Sequence, residues 1–286
     1  DFVDPFIGTG GHGHTFPGAV VPFGMVQLSP DTRLTGWDGC SGYHYSDSVV
    51  YGFSHTHLSG TGVPDLGDVL LMPVAGKLRF ANGYPGAADR GYGSRFSHAQ
   101  EEASPGYYRV VLEDYGIEAQ LTATPRTGMH DYRFTQDKPR AVLLDLAHRD
   151  SVLYSELEVL DTRTVRGMRQ STAWAEDQQL YFYLKFSEPF DSISWHKHPQ
   201  NELRGQSDTG HRVKAAFHFA DKVAHLQVKV GISAVDAGGA ANNLSVENPY
   251  WNFGRTRKQA TAAWEKQLGR VQVKGGSKAN KTKFYT

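Results

Sequence analysis

The side chains best suited to chemistry crowd into one short stretch. Residues 35–62, TGWDGCSGYHYSDSVVYGFSHTHLSGTG, carry His44, His55, His57, Trp37, Asp38 and the sole cysteine, Cys40, between glycines. His55 and His57 stand two apart, a spacing that puts both on one side of a strand and could serve a metal. With Cys40, His12 and His14 a zinc site can be drawn, but C-x-x-C and H-E-x-x-H spacings are absent. The favoured reading is that these histidines hydrogen-bond backbone groups in a glycine-rich core. FIGTGGHGH, residues 6–14, approaches a glycine-rich phosphate loop, yet Phe16-Pro17 follows where a helix would have to start, which argues against a nucleotide site. Ser54-His55 and Ser59 lack the G-x-S-x-G elbow of a serine hydrolase. Trp37 and Asp38, with Tyr43, His44 and Tyr45, suit a saccharide instead. Indole stacks on the apolar C–H face of a pyranose, and carboxylates and amides meet its hydroxyls. Asp31, Asp38, Asp65 and Asp68 are the carboxylates available nearby. An inverting glycosidase needs a pair about 6.5 to 9.5 Å apart, and sequence spacing alone leaves their separation open; Asp65 and Asp68 read as turn residues.

These residues need elements to hold them. Residues 1–62 hold 12 of the 31 glycines and 5 of the 13 histidines but only six charged residues, which predicts buried loops and short strands built around a site. From about residue 65, apolar runs such as DVLLMPVAGKLRF, YYRVVLEDYGIEAQLTAT, RAVLLDLAH and QLYFYLKF succeed one another between turn signals. HLQVKVGIS puts Leu226, Val228, Val230 and Ile232 on one face. The pattern predicts a mainly β fold, a large antiparallel sandwich over residues 1–235. From residue 236 the period turns helical through Phe253, Ala260, Ala263, Trp264 and Leu268, with Asn248-Pro249 as a helix start and Gly269 as its stop. Residues 236–286 therefore read as a helical linker. The final KFYT, aromatic after a polar loop, reads as the first turn of a further domain, and the chain as an amino-terminal portion of a longer protein.

Formal net charge is zero and the pI about 7.4, so no basic excess points to nucleic acid. No apolar run reaches the roughly 20 residues of a membrane span. Absence of an apolar leader before Asp1 is read as a removed signal peptide, and the single cysteine excludes an internal disulfide framework.

DPFIGTGGHGHTFPGAVVPFGMVQLSPDT, GYHYSD and GFSHTHLSGTGVPDLGDVLLMP resemble the amino-terminal domain of family 92 glycoside hydrolases, bacterial α-mannosidases prominent in gut Bacteroidetes; NPYWNF…WEKQLGRVQV…KTKFYT resembles the bridge into their second domain. The resemblance covers essentially the whole chain. It implies a galactose-mutarotase-like β-supersandwich joined to an (α/α)6 barrel, and calcium-dependent, inverting exo-hydrolysis of α-linked mannose from N-glycan-type or mannan oligosaccharides. Ca2+ would touch the sugar hydroxyls at C2 and C3. The general acid, the base and most calcium ligands would lie in the barrel, outside this chain, so catalytic and metal-ligating residues are not carried over. Gly18 matches a loop whose backbone approaches the terminal mannose. Trp37 matches an aromatic that stacks on the leaving sugar in members preferring α-1,2 links. Asp38, Cys40, Tyr43 and His44 complete the expected substrate-binding set. The implied setting is secretion, to the periplasm or outer surface of a Gram-negative bacterium. The implied partners are a mannose-containing oligosaccharide and the carboxy-terminal domain of the same polypeptide. A stand-alone carbohydrate-binding sandwich and a mutarotase-like sugar epimerase are the alternatives.

Overall fold

In the computed structural model, which describes residues 2–85 and 91–286, two antiparallel sheets pack around one core. The seven-stranded sheet runs Ala19–Val20, Gln27–Asp31, Gly52–Ser54, Leu70–Ala75, Arg140–Asp145, Lys214–Phe219, Ser192–Trp195 in spatial order. The ten-stranded sheet runs Asn201–Arg204, Ser207–Gly210, Ser151–Asp161, Thr164–Thr172, Gln178–Phe186, His225–Ser233, Thr127–Phe134, Ile117–Ala123, Tyr107–Leu112, Glu101–Ser104. The expected antiparallel sandwich is therefore present, with long strands where the sequence alternates and short ones in the glycine-rich amino-terminal region.

Packing explains which strands look amphipathic. Leu226, Val228, Val230 and Ile232 all point into the core at 0% exposure, as the alternation predicts. The opposite face of that strand is also covered, because helix α1 (Ala237–Glu247) lies on it. Gly231 is the contact point: a Cβ there would sit 2.3 Å from the Ala240 carbonyl oxygen, so only glycine lets the helix approach. Lys229, on the same face, reaches the Asn248 carbonyl at 2.8 Å.

Residues 236–286, expected as a helical linker, hold more than one helix. α1 is capped by Asp236, whose side chain accepts from the Gly239 amide. Asn248-Pro249 ends α1 rather than starting the next helix: the Asn248 amide closes onto the Leu244 carbonyl, and proline offers no amide to continue the ladder. Helix α2 (Phe253–Leu268) starts one turn later, with Asn252 as its cap. Gly269 ends it, as expected. Trp264 ties α2 to the sandwich through an Nε1–H bond to the Val20 carbonyl, 2.7 Å. The KFYT segment closes a short helix α3 (Lys278–Tyr285), which Tyr285 pins back on the Val271 carbonyl at 2.8 Å.

Candidate saccharide-binding site

Three loop segments converge on Trp37. The indole is 62% exposed and carried on a turn closed by the Cys40 amide donating to the Trp37 carbonyl, 3.3 Å. The His14 ring meets it edge-on, centroids 5.1 Å apart and planes at 78°. Gly62 backs its six-membered ring so closely that a Cβ there would lie 2.6 Å from Cη2. The Gly60 amide donates to the His14 carbonyl at 2.6 Å, which joins the 12–14 and 60–62 segments. Asp38 stands beside the indole with Oδ1 2.7 Å from His12 Nδ1. That hydrogen bond holds its carboxyl below the usual carboxylate range. An indole held from two sides, with most of its surface open and a carboxylate alongside, can stack on a pyranose and accept from its hydroxyls.

The remaining expected site residues lie deeper. The His44 ring is buried, with Nδ1 2.8 Å from Ser46 Oγ and Nε2 3.1 Å from the Gly11 carbonyl, so it braces the 6–14 loop from behind. Cys40 and Tyr43 are 0% exposed. Tyr43 donates to Glu101 at 3.1 Å, and burial drives its hydroxyl pKa upward. These side chains thus support the loop from below, and the expectation that Cys40 and Tyr43 face the sugar meets a buried placement: aromatic and sulfur groups in a low-charge segment went to its core. Gly18 is buried against the neighbouring strand, where a Cβ would lie 2.3 Å from the Leu28 carbonyl oxygen. It also borders a cavity of about 330 Å³ between the sandwich and helices α2 and α3, lined further by Thr15, Phe16, Ser59, Trp264 and Tyr285. Thr15 and Ser59 adjoin His14 and Gly60, so this cavity and the indole cluster share a wall.

Three of the four carboxylates considered as possible catalysts, Asp31, Asp65 and Asp68, are buried. Asp31 is fully buried and accepts from Ser54 Oγ at 2.6 Å. His57 Nε2 approaches its other oxygen at 3.1 Å, and His148 Nε2 stands at 3.6 Å, beyond hydrogen-bond length. Burial alone would raise the Asp31 pKa, but the two imidazoles outweigh it and hold the carboxyl well below the usual range. Asp68 is buried in an ion pair with Arg169 and also accepts from Thr56 and Gln178, each at 2.6 Å. Asp65 accepts from the Leu66 and Ala175 amides, both at 2.8 Å. These oxygens are committed to internal donors. Among the described residues no three His, Cys, Asp or Glu side chains come together as metal ligands. The residues present do not by themselves fit an oxygen cage for Ca2+.

His55 and His57 do what the hydrogen-bonding reading expects, whereas His12 is exposed on the Asp38 carboxylate and His14 Nε2 is buried with no hydrogen-bond partner among the described residues. His57 Nδ1 donates to the Gln27 carbonyl and His55 Nδ1 to the Val69 carbonyl, each at 2.7 Å. A neutral relay crosses the sandwich: the Tyr132 hydroxyl stands 2.7 Å from His130 Nδ1, and His130 Nε2 lies 3.1 Å from His55 Nε2. Burial pushes His55 down to about 4 and His130 well below its ordinary value.

Sequence reading passed over His148, Arg149, Asp150 and Arg169. The available signal was the run His148-Arg149-Asp150 directly after the apolar strand Arg140–Asp145. Charged residues on the exit of a wholly buried strand must find internal partners, which strand periodicity does not disclose.

Known proteins show the same architecture. The glycosyl hydrolase family 92 N-terminal domain matches residues 2–233, and the family's catalytic domain matches residues 239–286. A family GH92 α-mannosidase from Bacteroides thetaiotaomicron is 36% identical, with a TM-score of 0.92 over 100% of this chain and 40% of its own. An inverting GH92 mannosidase of the same organism is 27% identical, with a TM-score of 0.84 over 100% of this chain and 38% of its own. An uncharacterized secreted glycosidase of Arthroderma benhamiae is 26% identical over 96% of this chain and 38% of that protein. The chain thus spans about two fifths of the length of these relatives.

Proposed function

Because this chain belongs to glycosyl hydrolase family 92, we propose that it is the amino-terminal portion of an inverting exo-α-mannosidase that removes terminal α-1,2-linked mannose from N-glycan-type or mannan oligosaccharides. The observation carrying this reading is the family match over residues 2–233, continued into the catalytic domain by residues 239–286. The B. thetaiotaomicron α-mannosidase compared above is also known in complex with mannoimidazole, which supports a mannose-like ligand.

In this reading the chain supplies one wall of the pocket. Trp37 stacks on the sugar beyond the scissile bond, Asp38 accepts from its hydroxyls, and the Gly18 backbone borders the position of the terminal mannose. His44, Cys40 and Tyr43 keep those loops in place. The general acid, the base and most of the Ca2+ ligands belong to the remainder of the catalytic domain, which closes the pocket from the other side; domain boundaries are common places for such sites. When bound, Ca2+ would polarise and hold the sugar hydroxyls. The Arthroderma benhamiae relative is described as secreted, which supports secretion here, and among the described residues no helix is long and apolar enough to cross a membrane.

The test is mannose release from α-1,2-mannobiose by this chain and by the longer polypeptide carrying the complete catalytic domain, each with calcium and with chelator. Release only by the longer, calcium-loaded protein is expected. Release by residues 1–286 alone would refute the division of labour. A Trp37→Ala change in the longer protein should lower turnover of the disaccharide selectively; unaltered kinetics would remove Trp37 from the binding role.

A further inference from the structure

We infer that Arg149 is a positioning residue, a buried guanidinium clamp that fixes the Trp37–Cys40 turn from beneath and so sets the angle of the indole. Its functional consequence rests on the role proposed for Trp37; the clamp itself does not.

Arg149 is 4% exposed. Its Nη2 donates to two consecutive carbonyls of the indole-bearing turn, Gly39 at 3.1 Å and Cys40 at 2.8 Å. The Gly39 carbonyl also accepts from the Gly42 amide at 2.9 Å, so turn and clamp meet at one oxygen. The planar Nη2 amino group, held in the guanidinium plane on a fixed base, donates along two set directions and so can define the orientation of two adjacent peptides; a point charge on a flexible stem cannot.

The base is rigid. Arg169, itself fully buried, donates Nη2 to the Arg149 carbonyl and Nε to the Leu146 carbonyl, the latter at 3.0 Å, while Asp68 holds its Nη1. The stem of Arg149 lies against Gly67, at φ +85°, where a Cβ would come within 3.0 Å of Arg149 Cβ and Cδ. Left-handed backbone gathers here at residues that disfavour it: Leu66 at φ 72°, Val69 at 55° and Asp150 at 61°. Such backbone is costly and persists where surrounding structure imposes it, often around functional sites.

Stability alone does not account for the arginine. Among the described residues no carboxylate lies within ion-pair distance of Arg149, and its buried Nε and Nη1 have no hydrogen-bond partner. The adjacent Asp150 is no full counter-ion, since burial raises its carboxyl to about 7. A buried cation served only by carbonyls keeps most of its desolvation cost, which an apolar residue of similar volume would not bear. What the apolar residue cannot do is hold two carbonyls in register.

The decisive experiment is amide hydrogen exchange across residues 37–42 in the longer polypeptide with Arg149→Met. Exchange at the Cys40 and Gly42 amides should accelerate about tenfold or more in the Met variant, with melting of the whole protein little changed. In parallel, kcat/KM for α-1,2-mannobiose should fall about tenfold while α-mannosyl fluoride, which has no leaving sugar to stack, stays within about twofold. Adding Arg149→Met to Trp37→Ala should cause no further loss, as expected for residues acting through one contact. If Met disrupts folding, Arg149→Ala with millimolar guanidinium replaces it, and restored protection supports the clamp. Unchanged exchange at 37–42 overturns the clamp whatever the kinetics show. Equal losses on both substrates overturn its role in aiming the indole. A Trp37→Ala variant that keeps full disaccharide turnover removes the stacking role of Trp37, and exchange still decides the clamp.

Discussion

Gly62→Ala, compared with Gly60→Ala, isolates the orientation of the indole from the general cost of changing its loop. Both glycines are left-handed, Gly62 at φ +75° and Gly60 at +77°. Alanine in that region costs about 1–2 kcal/mol, partly offset by about 0.4–1 kcal/mol from the stiffer unfolded chain. Each variant should therefore lose about 1 kcal/mol, a drop in Tm of about 2–4 °C. They differ in what the new methyl meets. At Gly60 nothing lies within 4 Å, whereas at Gly62 the methyl would stand 2.6, 2.7 and 2.8 Å from three atoms of the Trp37 ring. Carbon atoms settle near 3.5–4.0 Å, so the ring must move by about 1 Å. The indole is 62% exposed and can pivot, so the added stability cost is small. Misplacement by 1 Å can nonetheless cost up to about a hundredfold in rate where a group positions substrate. Turnover of α-1,2-mannobiose by the longer polypeptide should thus fall at least about tenfold for Gly62→Ala and change little for Gly60→Ala, with matching melts. Equal turnover by the two variants would refute the reasoning that indole orientation is set at Gly62 and used in binding.

Two further outcomes follow from the buried groups. His55 is neutral in the folded chain, its pKa lowered by burial to about 4 from 6.5. The unfolded chain takes up that proton first, so the contribution is complete above about pH 6.5 and is lost as pH falls towards 4, amounting to about 3 kcal/mol. His130 shifts in the same direction. Urea unfolding from pH 7 to pH 4 should show this slope, and a His55→Asn variant should flatten it; an unaltered slope would assign the acid sensitivity elsewhere. Asp68→Asn leaves Arg169 as a buried cation without its partner, which should cost about 3–5 kcal/mol in denaturant titrations. Loss of the exposed Glu202–Arg204 pair, by Glu202→Gln, should leave the midpoint unmoved; similar effects from the two changes would contradict the burial argument.

Much of the molecule was legible in the residues. The period-2 run around Val228 announced a strand because alternation records which face meets the core. Gly269 marked the end of α2, and the low charge of residues 1–62 announced buried loops. Trp37 and Asp38 could be singled out because glycines on either side of a large aromatic make sense only where backbone must turn and the ring must stay accessible. Contiguous motifs carried the family resemblance, which needs no geometry at all. Other placements depended on contacts between residues far apart in the chain. Asn248-Pro249 could have opened a helix or closed one, and the packing of α1 on Gly231 decided for closure. Cys40 and Tyr43 looked as available as Trp37, being of the same sticky kinds; their burial depends on Glu101 and on the strands beneath, 58 or more residues away for Tyr43. The run His148-Arg149-Asp150 hinted that Arg149 needs internal partners but not which, because its two carbonyl partners lie 109 and 110 residues earlier. Local sequence thus determined the strands, the turns and the identity of the exposed aromatic. Tertiary structure alone decided which charged groups are buried, because the cost of burying a charge is met only by partners that folding brings together.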